Sequence, residues 1–170
     1  IGDDNQTEVG RGSTGEILVR GANVMRGYLK QPEETAKSIT PEGWFRTGDL
    51  GHMDDDGFVF VTGRIKELII KGGENIAPRE VDEVLLEHEA VLEAAAFAVP
   101  CDQLGQRVES CVAFQPGRSA TEAELLAHSA AQLGQFKAPD RVHFLDELPK
   151  GPSGKIQRLQ LYSLVYGADS

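Results

Sequence analysis

The chain has 170 residues, which is enough for one ordinary domain or for a small domain with part of another. Its 27 acidic residues against 17 basic residues give a formal net charge of -10, which argues against a nucleic-acid partner. The longest apolar runs, such as 94–99, are far too short to span a bilayer. Cys101 and Cys111 predict neither a disulfide framework nor a metal site, so we expect a cytoplasmic protein with reduced cysteines.

The chain opens at Ile1 with a polar, Gly-rich stretch, which indicates a piece of a longer polypeptide. Residues 16–20 then predict a short strand, and Pro32 followed by two acidic residues predicts a short helix. A further strand is predicted at 44–50. The Asp-Gly pair within 54–57 lies between β-forming residues and predicts a hairpin.

A connector with a glycine, residues 62–66, marks the predicted domain boundary, and the elements change after it. We expect a small domain of the α+β class, with helices packed on one face of a short sheet. Thr121 and Glu124 form a capping-box pattern at the start of its second helix. The predicted strands are 68–70, 91–99, 107–114 and 141–145, and the predicted helices are 78–88, a segment from 121 onward, and a short helix or turn at 158–165.

Two motifs near the boundary contain side chains that suit a nucleotide. Asp49 follows a strand and a glycine, and its two carboxylate oxygens match the vicinal hydroxyls of a ribose. Arg64 offers a planar fork of donors for phosphate or ribose oxygens, and Lys66 lies two positions further on. The alternatives are a turn aspartate that accepts local backbone amides and a solvated pair of loop cations.

Two glycine-rich motifs lie in the second part of the chain. Gly72 and Gly73 allow a backbone to approach a ligand closely, although a plain tight turn is the alternative. Lys155 lies on a Gly-rich loop, from which it can reach a phosphate or a developing negative charge, although an exposed loop lysine is the alternative. Ile156 stands where a P-loop requires Ser or Thr. The histidines lack metal-ligand spacing, so no metal site is predicted.

Taken together and in this order, the motifs resemble the C-terminal part of the AMP-forming acyl-CoA synthetases of the adenylate-forming superfamily. The resemblance covers nearly the whole chain from about residue 15. It is carried by residues 15–21, 25–28, 44–49, 63–69 and 72–76, with Pro78 and Glu80, and by residues 148–158.

The resemblance implies a reaction in two steps. A carboxylate attacks the α-phosphate of ATP, bound with Mg²⁺, to give acyl-AMP and pyrophosphate, and the thiol of CoA then displaces AMP. By the same resemblance, Asp49 holds the ribose hydroxyls, Arg64 supports the nucleotide, Lys66 is a hinge, Lys155 bridges the substrate carboxylate and the α-phosphate, and Gly72 and Gly73 face a pantetheine channel.

The resemblance also implies the domain organisation. Residues 1–63 would end a large AMP-binding domain as a β-barrel-like subdomain, and residues 64–170 would form a mobile lid domain. The phosphate loop and the acyl pocket would lie upstream, so we expect no ligase activity from this chain alone. Two alternatives remain open, namely an adenylation domain of a peptide synthetase and a non-catalytic interaction module of the same fold.

Overall fold

A computed structural model describes residues 7–167, which form two compact units that divide between Lys66 and Glu67. The division lies close to the predicted boundary after residue 63. None of the helices in the described range is both long and apolar enough to cross a bilayer.

The first unit contains a three-stranded antiparallel sheet in the order β1–β2–β3. The hairpin predicted at 54–57 joins β2 to β3 and is confirmed, with the Phe58 amide donating to the Asp54 carboxylate over 2.8 Å. Within residues 7–66 the sheet is open, because β1 and β3 are its edges. The elements are β1 (Gly15–Val19), α1 (Pro32–Ser38), β2 (Phe45–Met53) and β3 (Val59–Arg64), and a 3₁₀ turn, Ile65–Glu67, follows.

The first unit contains almost no buried interior. Among residues 7–66 only Gly15, Glu16 and Gly51 are buried, and none of them contributes a hydrophobic side chain. Phe58 and Phe60 are 68% and 48% exposed. Because burial of apolar surface is the main force that stabilises a fold, this unit has little to hold it together by itself.

The second unit contains a five-stranded sheet in the order β5–β4–β7–β6, with β8 parallel to β7. The predicted α+β class is therefore confirmed, with β6 and β7 as a long antiparallel pair at the centre of the unit. The elements are β4 (Ile69–Lys71), β5 (Glu74–Ile76), α2 (Pro78–Leu86), β6 (Val91–Cys101), β7 (Gly105–Phe114), α3 (Glu122–Lys137), β8 (Arg141–Phe144), a 3₁₀ turn Arg158–Gln160, and α4 (Leu161–Tyr166).

Both faces of this sheet are covered. Leu85 of α2 and Leu125 of α3 pack with Ala94 and Ala96 on one face. On the other face, Leu161 of α4 belongs to a cluster with Leu148, Ala95 and Phe97. The expectation that the helices pack on a single face therefore needs correction. The reason lies in β6, where consecutive apolar residues point to opposite faces and each face needs a cover.

The start of α3 is the predicted capping box. The Glu124 amide donates to the Thr121 hydroxyl over 3.3 Å, and the Thr121 amide donates to the Glu124 carboxylate over 2.7 Å. These two bonds satisfy backbone donors that the first helical turn leaves unpaired. The cap fixes the start of α3, and Leu125, one residue further, is fully buried against α2 and the sheet.

Candidate functional site

Asp49 and Arg64 are cross-strand neighbours in the first unit. The register of β2 and β3 pairs the two residues, and Arg64 Nε lies 3.1 Å from Asp49 Oδ1. Their side chains are 28% and 57% exposed, so both can reach a solute. An exposed ion pair of this kind contributes little to stability, about 0–1 kcal/mol. The structure thus brings together a carboxylate and a guanidinium that the sequence identified separately.

Local hydrogen bonds fix the backbone at Gly48 and Asp49. The Asp49 amide donates to the Thr47 hydroxyl, which itself donates to the carbonyl of Ile17 on β1 over 2.8 Å. Gly48 has a φ of +71°, in the left-handed region that glycine adopts without strain, and its amide donates to Glu16. Glu16 also pairs with Arg46 at 3.0 Å. This supporting role of Glu16 is not predictable from the sequence, because a lone acid in a strand pattern gives no such signal.

Gly72 and Gly73 form the two-residue turn between β4 and β5, with φ of +58° and +87°. A side chain on each would meet different surroundings. A Cβ on Gly72 would lie 3.5 Å from the side chains of Leu104 and Phe136, whereas a Cβ on Gly73 would have no atom of the described chain within 4 Å. Gly72 therefore faces protein, and Gly73 faces open space.

Lys71, directly before this turn, is a buried cation that the sequence analysis did not identify. Its side chain is 5% exposed and lies 3.2 Å from Asp140. The ammonium group also lies 5.5 Å from the centroid of the Phe136 ring, within the range of a cation–π contact. A lysine between a short strand and two glycines has the pattern of a surface residue, and its partner lies 69 positions away along the chain.

Lys155 is exposed at the tip region of a small hairpin, residues 149–157, which we call the lysine hairpin. Lys150 and Ile156 form an antiparallel bridge, and the Gly151 amide donates to the Lys155 carbonyl over 2.9 Å. Leu148 and Leu161, on either side of the hairpin, are fully buried in the same cluster. The lysine is therefore presented on an ordered support with both ends fixed in the core.

Lys66 is exposed and is the last residue of the first unit. It lies within the 3₁₀ turn, two residues after Arg64 and directly before Glu67. Asp49, Arg64 and Lys66 thus belong to the first unit, whereas Gly72, Gly73 and Lys155 belong to the second.

The remaining histidine, cysteine and carboxylate side chains of residues 7–167 include no group of three that could hold a metal ion. Burial raises the pKa of the Cys111 thiol to about 12, and the nearby Glu109 carboxylate adds to this rise. Cys111 therefore remains a neutral thiol near pH 7 and is a poor nucleophile.

Comparison with known proteins matches residues 80–155 to the AMP-binding enzyme C-terminal domain. The chain is 52% identical over 150 residues to the sulfoacetate–CoA ligase of Cupriavidus necator, covering 88% of this chain and 30% of that protein. It spans about 30% of the length of the curated relatives that it matches.

Two solved structures resemble the chain in fold as well as in sequence. One is the o-succinylbenzoate CoA synthetase of Bacillus subtilis in complex with its acyl-adenylate intermediate, with 35% identity and a TM-score of 0.84 over 95% of this chain and 32% of that one. The other is the amide bond synthetase McbA of Marinactinospora thermotolerans, with 35% identity and a TM-score of 0.90 over 95% of this chain and 33% of that one. The chain carries the C-terminal domain of the AMP-binding enzymes and belongs to the adenylate-forming superfamily that includes the acyl-CoA synthetases.

Proposed function

We propose that this chain is the C-terminal part of an AMP-forming acid–thiol ligase, which converts a carboxylic acid, ATP and CoA into an acyl-CoA, AMP and pyrophosphate. The observation that carries the proposal is the exposed Lys155 on an ordered hairpin in the domain matched to AMP-binding enzymes. The relatives named as CoA ligases and the structural relative that holds an acyl-adenylate support it. A cytoplasmic location is part of the same proposal.

In this proposal Asp49 accepts hydrogen bonds from the two ribose hydroxyls of the nucleotide. Arg64, 3.1 Å away, supports the ribose or phosphate side. A carboxylate that binds a diol accepts with both oxygens, and Arg64 Nε lies 3.1 Å from one of them. The pair can therefore open to admit a ligand at little cost, because exposed ion pairs are weak.

Lys155 acts in the first step. Attack of the carboxylate on the α-phosphate concentrates negative charge, and a lysine aimed at that charge lowers the barrier. The second step requires the lysine to withdraw and the thiol to enter. Rotation of the second unit, from Glu67 onward, at Lys66 would accomplish both, and the position of Lys66 at the end of the first compact unit suits a hinge.

The rest of the catalyst, in this proposal, belongs to a larger domain that residues 1–63 complete. The absence of buried hydrophobic side chains among residues 7–66, together with the exposed Phe58 and Phe60, supports this. The same domain would supply the phosphate loop, the acyl pocket and the oxygen ligands of Mg²⁺. These 170 residues alone would then be inactive.

Within the same chemistry, the acceptor of the acyl group is the main alternative. The amide bond synthetase McbA matches this fold as well as the CoA synthetases do, so an amine in place of the CoA thiol is the second candidate. The sulfoacetate–CoA ligase, at higher identity, favours the thiol. A peptide-synthetase adenylation domain and a non-catalytic module are the further alternatives.

The test uses the complete ligase that carries these residues, with ATP, Mg²⁺ and a panel of short carboxylic acids that includes sulfoacetate. We expect equal amounts of AMP, pyrophosphate and CoA thioester from at least one acid, and no product from the 170-residue chain alone. Formation of ADP, or no ATP consumption with any acid, would contradict the proposal. Product only when an amine replaces CoA would establish the second candidate.

The glycine turn gives a prediction for the second step. A Cβ at Gly73 enters open space, whereas one at Gly72 contacts Leu104 and Phe136. Of the two glycines, we therefore propose Gly73 as the one that borders the pantetheine channel. We expect Gly73→Ala to slow thioester formation from supplied acyl-AMP by about tenfold, the factor for a loss of roughly 1.4 kcal/mol of transition-state binding. Acid-dependent ATP–pyrophosphate exchange should stay near wild type.

Gly72→Ala is the matched control, because it adds the same methyl group and also places it at a positive φ. Both variants bear the cost of a left-handed residue, about 1–2 kcal/mol. If the two variants affected both half-reactions equally, backbone strain alone would explain the loss. That result would contradict the proposal that Gly73 borders the channel.

A further inference from the structure

Arg158 forms a buried junction between three separate parts of the second unit. Its Nη2 lies 2.6 Å from Oδ2 of Asp82 on α2, and its Nη1 lies 3.3 Å from Oδ1 of the same carboxylate. Its Nε donates to Glu67 over 3.1 Å, and Nη1 also donates to the carbonyl of Ala96 on β6. We call Arg158, Asp82, Glu67 and the Ala96 carbonyl the Arg158 cluster.

The cluster covers an open edge of the sheet. β6 has β7 on one side only, and the backbone of Ala96 points away from β7. Asp82 accepts the Ala96 amide over 2.6 Å, while Arg158 donates to the Ala96 carbonyl. Two side chains thus take the place of a neighbouring strand at this residue, which satisfies backbone groups that would otherwise be unpaired.

The charges of the cluster are withdrawn from water. The side chains of Arg158 and Asp82 are 13% and 11% exposed. The pKa of the Asp82 carboxyl is raised, because burial is the strongest influence on it. The contacts with Arg158 and the Ala96 amide lower the pKa but do not cancel the effect of burial. A buried charge that loses its partner is costly, so this geometry resists being pulled apart.

The cluster also joins two segments that the reaction uses. Arg158 lies three residues after Lys155 and directly after the lysine hairpin, whose closing bond runs from the Gln157 amide to the Pro149 carbonyl over 2.8 Å. Glu67 directly follows Lys66, the proposed hinge. A planar guanidinium with partners on three sides fixes the orientation of the backbone segment to which it belongs, here the end of the lysine hairpin.

We propose that Arg158 is a positioning residue, which holds the lysine hairpin in a fixed orientation to the first residue after the hinge, so that rotation of the domain delivers Lys155 accurately to the adenylation site. This inference rests on the proposed function. Arg158 itself contacts no substrate. A displacement of about 1 Å at a reacting group can cost roughly 100-fold in rate, so a support of this kind has a measurable consequence.

The test separates positioning from folding with two half-reactions in the complete ligase. Arg158→Lys keeps the charge beside Asp82 but loses the fork, and Glu67→Ala removes the acceptor of the Nε hydrogen bond while it leaves the buried Arg158–Asp82 pair intact. We expect each to lower the kcat of acid-dependent ATP–pyrophosphate exchange at least tenfold, with the KM for ATP within about twofold. Thioester formation from supplied acyl-AMP should stay within about twofold of wild type.

Arg118→Gln is the matched control. Arg118 also joins two segments, through the carbonyl and the carboxylate of Glu89, but it is half exposed and remote in sequence from the lysine hairpin. It should leave both half-reactions unchanged. If Arg158→Lys does not fold, Glu67→Ala alone decides the question.

Two outcomes would overturn the inference. One is that the variants lose both half-reactions in proportion, as a general loss of the folded domain would cause. The other is that Glu67→Ala retains wild-type exchange, because the hydrogen bond from Arg158 to the residue after the hinge would then have no effect on adenylation. A wild-type enzyme without either half-reaction would instead refute the proposed function, so the two failures are distinguishable.

Discussion

Lys155→Ala is expected to lower acid-dependent ATP–pyrophosphate exchange by about 100-fold or more, the usual cost of removing one donor aimed at developing charge. The structure supports this because Lys155 is exposed on a hairpin that is fixed at both ends. Its ammonium group can therefore reach a ligand, and its backbone is held in a defined position. Thioester formation from supplied acyl-AMP should persist, since in the proposed second step the domain has rotated and Lys155 has withdrawn from the α-phosphate.

Lys150→Ala is the control for this prediction. Lys150 lies on the same hairpin but is engaged with Glu93 at 2.7 Å and Glu147 at 3.3 Å. Hydrogen bonds to these two carboxylates raise its pKa, with Glu93 the stronger influence. The variant should therefore exchange pyrophosphate at nearly the wild-type rate. Equal losses in the two variants would assign the effect to the hairpin and not to Lys155.

Glu109→Ala is expected to destabilise the second unit by about 3 kcal/mol, because it removes the carboxylate at the centre of a buried network. Glu109 is fully buried on β7 and accepts from His143 over 2.6 Å and from Tyr166 over 2.7 Å. Arg107 Nε lies 2.8 Å from its other oxygen. These partners belong to β7, β8 and α4, so one carboxylate holds three elements together.

The cost stays below that of a fully buried pair because Arg107 and Tyr166 are 39% and 43% exposed and can reach water after the change. The measurement is urea denaturation of the 170-residue chain at pH 7, followed by far-UV circular dichroism. Glu89→Ala is the control, since the Glu89 side chain is 83% exposed and its ion pair with Arg118 should contribute less than about 1 kcal/mol. A Glu109 variant as stable as the control would contradict the prediction.

The same carboxylate predicts how stability depends on pH. Burial alone would raise the pKa of Glu109. The hydrogen bonds from His143 and Tyr166 and the charge of Arg107 outweigh burial, so the net result is a lowered pKa. The native state then binds fewer protons than the unfolded state at mildly acid pH. The contribution of Glu109 is complete above its unfolded pKa, about 4.3, and is lost as the pH falls through the lower native value.

That loss is measurable as the difference between wild type and Glu109→Ala in the free energy of unfolding at pH 7 and at pH 4. We expect the difference to shrink at the lower pH. A difference that grows on acidification would mean that the native pKa is raised and that the network disfavours the charged carboxylate.

Local patterns in the sequence predicted the elements that depend on neighbouring residues. The capping box of Thr121 and Glu124 spans three positions, and the turn at 54–57 is set by its own residues. β5 was not predicted, because its three residues follow two glycines and the segment has the composition of a turn. Its strand conformation comes from pairing with β4, which is a tertiary effect.

The candidate site shows the same limit. The motifs identified Asp49 and Arg64 one at a time, but their contact depends on the register of a hairpin that contains a bulge after Leu50. The pairing of Arg158 with Asp82 joins residues 76 positions apart, and that of Lys71 with Asp140 joins residues 69 positions apart. Such contacts are set by the topology of the sheet, and no periodicity in the sequence encodes them.

The most direct measurement of the proposed chemistry uses a carboxylic acid labelled with ¹⁸O in both oxygens, converted by the complete ligase with ATP, Mg²⁺ and CoA. When the acid attacks the α-phosphate and the thiol later expels AMP, one acid oxygen leaves with the nucleotide. We predict that mass spectrometry will find one ¹⁸O atom in each AMP and none in pyrophosphate. Label in inorganic phosphate, or unlabelled AMP beside a labelled thioester product, would show that no acyl-adenylate is formed.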